Sequence, residues 1–439
     1  MTTPLGWLGI VRLGLVQTAL GSIVVLTTST LNRVMVVEVA LPAAVPGVLI
    51  ALHYCMQIFR PRLGFGSDLG GRRTPFIVGG LAILATGGML AAAATALMIE
   101  QPFLGIALAV VAFLMIGLGV GAAGTTLLVL LAQRTDERRR AAAATVVWVM
   151  MIAGFIVTSA LAGHLLDPFS PMRLILVASG VSVIAFAVAL AAVWNVEGSP
   201  APRVAPQTPA PQLRFREAFA DVWREPQSRR FAIFIFVSMI AYSAQDLILE
   251  PFAGLVFGYT PGESTKLSSV QNAGVLVGMV LVALAGSGIR KRSLGSLKAW
   301  TVAGCGASAL ALVGIAMAGL LGPAWPLRAS VFALGVTNGA YAVAAIGSMM
   351  ALVSDGARAR EGVRMGLWGA AQALAFGAGG LIGTLASDLA RLIVGDPSLA
   401  YSTVFLAEAL LFVVSAVLAT RLRSPLPGAA AYAPQPGAA

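Results

Sequence analysis

Charge is what this sequence has least of. Of its 439 residues only 11% are Asp, Glu, Lys or Arg, where a soluble domain of this size carries about 25%. A water-exposed globular fold is therefore excluded for most of the chain. Cysteine and histidine are almost as scarce, with two of each. Cys55 and Cys305 stand far apart in apolar runs, without metal-ligand spacing, and no disulfide is inferred from them. The chain has no N-x-[ST] acceptor, no P-loop, no H-E-x-x-H and no paired catalytic Cys and His. Nothing in it points to an ATPase, a hydrolase or another enzyme, and neither a metal nor a nucleotide is expected as cofactor.

Apolar sequence fills the space that charge leaves. Hydrophobic residues make up 58% of the chain, and the mean hydropathy is +0.89. Runs of 18 or more charge-poor residues recur, as in helices that cross a bilayer. A β-barrel would show alternation over roughly ten residues instead. The runs predict an all-α polytopic membrane protein with twelve transmembrane helices. They lie near 13–31, 44–59, 75–97, 103–131, 142–165, 173–195, 231–250, 268–288, 299–321, 329–352, 365–394 and 400–420. The first run has no small-residue cleavage site after it and reads as a retained span.

The stretch EGSPAPRVAPQTPAPQ, 197–212, is a Pro/Ala-rich linker after the sixth span. The expected domains are thus 1–196, a six-helix half; 197–228, a linker; 229–424, a second six-helix half; and 425–439, a disordered tail. Behind the Pro/Ala stretch, LRFREAFADVWREP reads as a short amphipathic helix on the membrane surface or as an ordinary connector. The net charge of +11 would suit nucleic acid, but the basic residues sit between spans. Of 29 Lys and Arg, 24 fall on the side of the termini and the linker; Arg33, Arg173, Lys266, Arg328 and Arg391 are the exceptions. This bias predicts that both termini face the cytoplasm, with the bilayer and not nucleic acid as the partner.

The halves resemble each other weakly. RTDERRRAAAATVVW follows span four and VSDGARAREGVRMGLW follows span ten, aligning Asp136 with Asp355 and Trp148 with Trp368. A parallel repeat of six spans is the arrangement of major facilitator transporters. The loop GFGSDLGGRRTP, 64–75, resembles the signature loop of that superfamily, with Gly64, Asp68, Gly71, Arg72 and Arg73 in the key places and Leu69 where a basic residue is usual. Glycine permits the tight turn between antiparallel helices, and Asp68 can meet a helix N-terminus or an arginine of the other half. The resemblance implies a gating loop that meets the start of span eleven, where Arg358, Arg360 and Arg364 stand. In span four, Gly119, Gly121 and Gly124 match G-x-G-x-x-G, but no strand precedes them. They are expected to let membrane helices approach closely.

Ionisable residues at membrane depth are candidates for function. His53 lies four residues before Gln57 in span two, as a ligand or as a packing histidine. His164 lies near Asp167 at the outer end of span five. Span one ends with Arg33 and Glu38, and span seven with Asp246 and Glu250. These ends are repeat equivalents, so Arg33 is expected to pair with Asp246 or Glu250 as an outer gate, ordinary interfacial charge being the alternative. Both acids are expected near the surface, and no acid is expected in mid-span, which disfavours a proton-coupled exporter.

Several phrases together resemble one subfamily. They include GLVQTALGSIVVLTTSTLNRVMVVE, ALHYCMQIFRPRLGFGSDLGGRRTPFIVGG, FREAFADVWREPQSRRF and YSAQDLILEPFAGLVFGYTPGESTKLS. They are similar to the PucC/LhaA family, the bacteriochlorophyll-delivery branch of the major facilitator superfamily, over residues 5 to 425. The resemblance implies assembly of the light-harvesting antennae LH1 or LH2 in the inner or intracytoplasmic photosynthetic membrane. Bacteriochlorophyll would be cargo, and the antenna α and β polypeptides, the reaction centre–LH1 complex or pigment-synthesis enzymes would be partners. An apolar groove with sparse polar anchors such as His53, Gln57 and Gln245 would suit a chlorin, whose magnesium a neutral imidazole can ligate. Two other functions stand beside it: a scaffold for nascent antenna helices with no transport cycle, and a secondary transporter of a small solute.

Overall fold

The computed structural model describes residues 5–59, 72–136, 139–197, 223–286, 295–354 and 361–422. The gating-loop residues Gly64, Asp68 and Gly71 lie outside these, as do Arg358, Arg360 and the side chain of Arg364. The surface helix expected behind the linker also falls largely outside them.

Twelve helices follow one another among the described residues. They are α1 (Trp7–Glu38), α2 (Ala44–Cys55), α3 (Thr74–Leu97), α4 (Pro102–Arg134), α5 (Arg140–Leu165) and α6 (Pro171–Val193). After the linker come α7 (Pro226–Phe257), α8 (Pro261–Gly286), α9 (Leu297–Leu321), α10 (Leu327–Ser354), α11 (Glu361–Val394) and α12 (Pro397–Thr420). Eleven are long and apolar enough to cross a bilayer. The exception is α2, whose 12 residues rise about 18 Å before a 3₁₀ turn over Met56–Phe59.

The packing repeats with a period of six helices. In the first half α1 packs on α5 and α6, α3 on α4 and α6, and α2 on α4. In the second, α7 packs on α11 and α12, α9 on α10 and α12, and α8 on α10. The halves meet through α5 against α8 and α2 against α11, a pair that exchanges when every number shifts by six. This is the major facilitator fold expected from the sequence. Small residues allow the close approaches: a Cβ on Gly119 would lie 2.6 Å from the Gly80 carbonyl oxygen of α3, and one on Gly163 would lie 2.7 Å from that of Gly262 of α8.

Helix ends meet on two faces. On the linker face, the start of α1 meets the ends of α4 and α6 through Leu5 N–H to Arg134 O (2.7 Å) and Arg12 Nε to Ala192 O (2.9 Å). There Glu197 caps α3, accepting from Thr74 N–H at 2.8 Å and Thr74 Oγ1 at 2.7 Å. Arg73 donates from Nε to Gln133 at 2.9 Å, while Arg72 is exposed.

Candidate functional site

A cavity of about 1120 Å³ lies between the halves, above the usual range for small-molecule pockets of roughly 300–1,000 Å³. It is lined by α1, α2, α4 and α5 of one half and by α7, α8, α10 and α11 of the other. It runs from Thr28 and Ser29 to Gln133 in the last turn of α4, towards the linker face. Most of its wall is apolar, including Leu20, Ile50, Val120, Phe155, Val275 and Phe376. Leu128 and Trp148 line it while remaining exposed.

His53 is buried and lines the cavity, its Nε2 lying 3.3 Å from the side-chain amide of Gln57, which lines it too. The i, i+4 spacing puts both on one face of the α2 segment. Tyr54 follows on the wall, its ring 5.7 Å from that of Phe376 in α11. Asp246 also faces the cavity and accepts from Gln271 of α8 at 3.2 Å. Gln245 does not line the cavity. The cavity face of α7 is formed by Met239, Tyr242, Ser243, Asp246 and Leu247. Gln245 lies one heptad before Phe252, which stacks on Tyr401 and Phe405 of α12. It is therefore buried inside the second half, and its expected role as a cavity anchor is corrected.

Away from the linker face the halves are sewn together. Both carboxylate oxygens of Asp388, near the end of α11, accept from the backbone N–H groups of Ala43 and Ala44, at 2.9 and 2.8 Å. These are the unpaired donors at the start of α2. Thr30 of α1 meets Thr265 of α8 at 3.0 Å. Ser29 meets Ser268 at 2.9 Å, and both hydroxyls donate to Glu250. Asp167 accepts from Thr260 at 2.8 Å and lies 3.5 Å from Lys266 Nζ. Sequence reasoning reaches neither Asp388 nor the Asp167–Lys266 pair, because their partners come from the other half and no local spacing announces them.

Arg33 corrects the expected outer gate. Its ion pair is with Glu38, and its second guanidinium nitrogen donates to the Tyr259 carbonyl. Arg33 is near enough to act on Glu250 electrostatically, but the bonds to Glu250 come from the serines. The cause lies in α1, which widens into π-helical turns over Leu26–Thr30 and Val34–Glu38. A π turn closes i to i+5 and so brings Glu38 over Arg33. Arg33 still bridges the halves, because the left-handed cap at Gly258 (φ 68°) presents Tyr259 to it.

The acids also lie deeper than expected. Span seven does not stop at residue 250, since α7 runs on through Pro251 to Phe257. Asp246 is thus three turns from the helix end. A further acid, Glu408, stands in the middle of α12 and is 3% exposed. Neither of its carboxylate oxygens has a hydrogen-bond partner among the described residues. The signal for it is present in the sequence as a single acid in the apolar run YSTVFLAEALLFVV.

Comparison with known proteins places these features in a family. The family profile described as "PUCC protein" matches residues 30–425. The bacteriochlorophyll synthase 44.5 kDa chain of Rhodobacter capsulatus is 53% identical over 416 residues, covering 95% of each chain. Protein PucC of Cereibacter sphaeroides is 32% identical, over 95% of this chain and 92% of that one. Among solved structures, the peptide transporter POT in complex with sulfate superposes with a TM-score of 0.70 at 16% identity, over 96% of this chain and 97% of that one. The nucleoside transporter NupG gives 0.66 at 16% identity, over 94% and 98%. These likenesses concern the fold alone. The match to the family profile spans both halves and both walls of the cavity, and the chain belongs to the PUCC protein family.

Proposed function

We propose that the protein is an assembly factor for photosynthetic light-harvesting antennae, delivering bacteriochlorophyll to the α and β antenna polypeptides. The observation that carries the reading is the cavity: large, mostly apolar, closed on one face, with His53 and Gln57 among few polar groups on its wall. A chlorin with a long hydrocarbon tail needs such a space. His53 supplies an imidazole for the magnesium, and the neighbouring amides supply donors for ring carbonyls. The family membership and the name of the 53% identical relative support the choice of pigment. The excess of Lys and Arg on the linker side supports a cytoplasmic position for that face and for both termini. The cavity would then open towards the cytoplasm in the bacterial inner or intracytoplasmic membrane. Pigment is cargo here, not a resident cofactor, and no bond-making step is assigned to the chain.

Purification from a photosynthetic host in mild detergent tests this, read by near-infrared absorption. The expected result is stoichiometric chlorin, lost in His53→Ala. Co-purification of antenna polypeptides without pigment would replace delivery by a scaffold role.

A further inference from the structure

The interior of the second half carries a polar layer behind the cavity wall. Glu408 of α12 is 3% exposed, and Gln245 of α7, Asn338 of α10 and Ser308 of α9 are fully buried. None of the four lines the cavity. Aromatic contacts place them at one level. Phe252 of α7 stacks on Tyr401 and Phe405 of α12, with ring centroids at 5.7 and 5.1 Å. Nearer the linker face, Tyr341 of α10 stacks on Phe412 of α12 at 5.9 Å and donates to Ser238 of α7 at 2.8 Å. Gln245 lies midway between Ser238 and Phe252, seven residues from each, and Glu408 lies between Phe405 and Phe412. Spacings of three, four and seven keep these residues on the facing sides of the two helices. Asn338 stands three residues before Tyr341 and accepts from Ser308 at 2.8 Å.

Hydrogen-bonding capacity is left over in this layer. Both carboxylate oxygens of Glu408, both amide atoms of Gln245 and Nδ2 of Asn338 have no partner among the described residues. Charge is not compensated either. No lysine, arginine or histidine is buried in the second half among the described residues. The titratable groups on the helices around Glu408 are Tyr242, Asp246 and Glu250 of α7, Cys305 of α9 and Tyr341 of α10, with Asp388 and Arg391 at the outer end of α11. Of these only Arg391 is a cation, and it lies by Tyr401, two turns of α12 away from Glu408. A bare carboxylate at this depth is too costly for the fold to offset, so a positive charge has to reach it. The leftover groups decide which one. A metal cation would satisfy the oxygens and leave the amide N–H groups of Gln245 and Asn338 facing a like charge. Water satisfies oxygens and N–H groups together, and the positive charge is then a proton.

We infer that Glu408 is a proton-binding site of the second half, loaded from the cavity through Asp246 and through water held by Gln245 and Asn338. Asp246 follows Gln245 on α7, about 100° further round the helix. It lines the cavity and lies close enough to Glu408 to act on it electrostatically. A hydronium ion in the cavity gives its proton to a carboxylate oxygen of Asp246 and is left as water. Asp246 passes a proton along the bridging water to a carboxylate oxygen of Glu408 and returns to its charged form. The site stands apart from the pigment reading and gives the chain a second ligand besides its cargo.

The test needs no pigment. It uses the full chain in lipid nanodiscs, read by infrared difference spectroscopy between alkaline and acid buffer. A protonated carboxyl shows a carbonyl stretch above the amide band, and glutamate labelled with carbon-13 at its carboxyl moves that stretch where aspartate does not. The step to acid is expected to raise one such band from a buried glutamate, reversed on the step back and absent from Glu408→Gln. The band should survive Glu250→Gln, which assigns it between the two buried glutamates even where Glu408→Gln does not fold. Asp246→Asn and Gln245→Leu should keep the band and slow its appearance several-fold, each variant first shown to be monodisperse. A Glu408 band that stays at every pH would make the carboxyl a fixed neutral group and overturn the inference. Absence of the band at every pH would overturn it too, and a rise of the unfolding temperature with sodium would then assign the layer to a metal cation. An unchanged rate in Asp246→Asn would overturn the entry route. None of these results bears on pigment delivery, which the chlorin absorbance tests separately.

Discussion

The side-chain amide of Asn32 in α1 donates, at 2.7 Å, to the carbonyl oxygen of Leu247 in α7. That carbonyl is the one Pro251 leaves without a donor, since proline at i+4 has no N–H to give. The first helix of one half thus completes the first helix of the other. It explains how α7 continues past a proline that would otherwise end it. Asn32→Ala should leave a buried carbonyl unpaired and cost about 1–3 kcal/mol. Asn32→Ala with Pro251→Ala should recover much of that loss, because the second substitution returns the N–H that closes the helix bond. Thermal unfolding in detergent of the three variants decides it. No recovery in the double variant would mean that Asn32 acts elsewhere.

Asp388 is the acid that holds α2 to α11 across the halves. Losing a cap of this kind costs about 0.5–2 kcal/mol, and here the loss falls on the closed face of the cavity. Asp388→Ala should shift the protein towards a form open on that face. A reporter cysteine at Thr384, buried beside Gly47 of α2, should then react several-fold faster with a membrane-impermeant maleimide. The background for this needs Cys55→Ala and Cys305→Ala. An unchanged labelling rate would show that the cap does not keep the face shut.

Much of this architecture is legible in the sequence, because a bilayer imposes length and apolarity on every span. The apolar runs mark eleven long helices directly, and of the glycines of span four Gly119 lies where α3 and α4 approach, while Gly124 faces the cavity. The polar wiring between the halves is not legible. Arg33 and Glu38 are five apart, which in a regular helix points them about 140° away from each other. The π turn that joins them has no sequence signature. Gln245 and Asp246 are adjacent, yet one faces the protein interior and the other the cavity, a choice set by which helices surround α7. Glu197 caps α3 from 123 residues away, a distance at which the nearby loop acid Asp68 is the more obvious candidate for a helix N-terminus.

The revised partner of Arg33 carries its own expectation. A charge swap with Asp246 should fail: Arg33→Asp with Asp246→Arg should lose antenna assembly as fully as Arg33→Asp alone. Glu38 is one-third exposed, so Glu38→Gln should cost less than about 1 kcal/mol. Arg33→Met should cost more, because the Tyr259 carbonyl and the buried pocket around Arg33 lose their donor. Antenna absorbance in complemented cells and unfolding of the purified variants measure the two effects. Rescue by Asp246→Arg would restore the direct gate between the halves.

Glu408 is a carboxyl that the fold places at the centre of α12 without a hydrogen-bond partner among the described residues. Packing alone would favour an apolar residue there, since an unpaired polar group at that depth costs about 1–3 kcal/mol. Glu408→Leu should therefore unfold at a higher temperature than the wild type, and Glu408→Gln at an equal or higher one. An ionisable residue buried inside a membrane protein is a candidate for function, and Glu408 lies close enough to the cavity acid Asp246 to interact with it electrostatically. Both variants should consequently lower antenna assembly in cells while the purified protein becomes more robust. Destabilisation by Glu408→Gln would show instead that the carboxyl makes a bond the amide cannot replace, and full assembly with either variant would leave it no functional part.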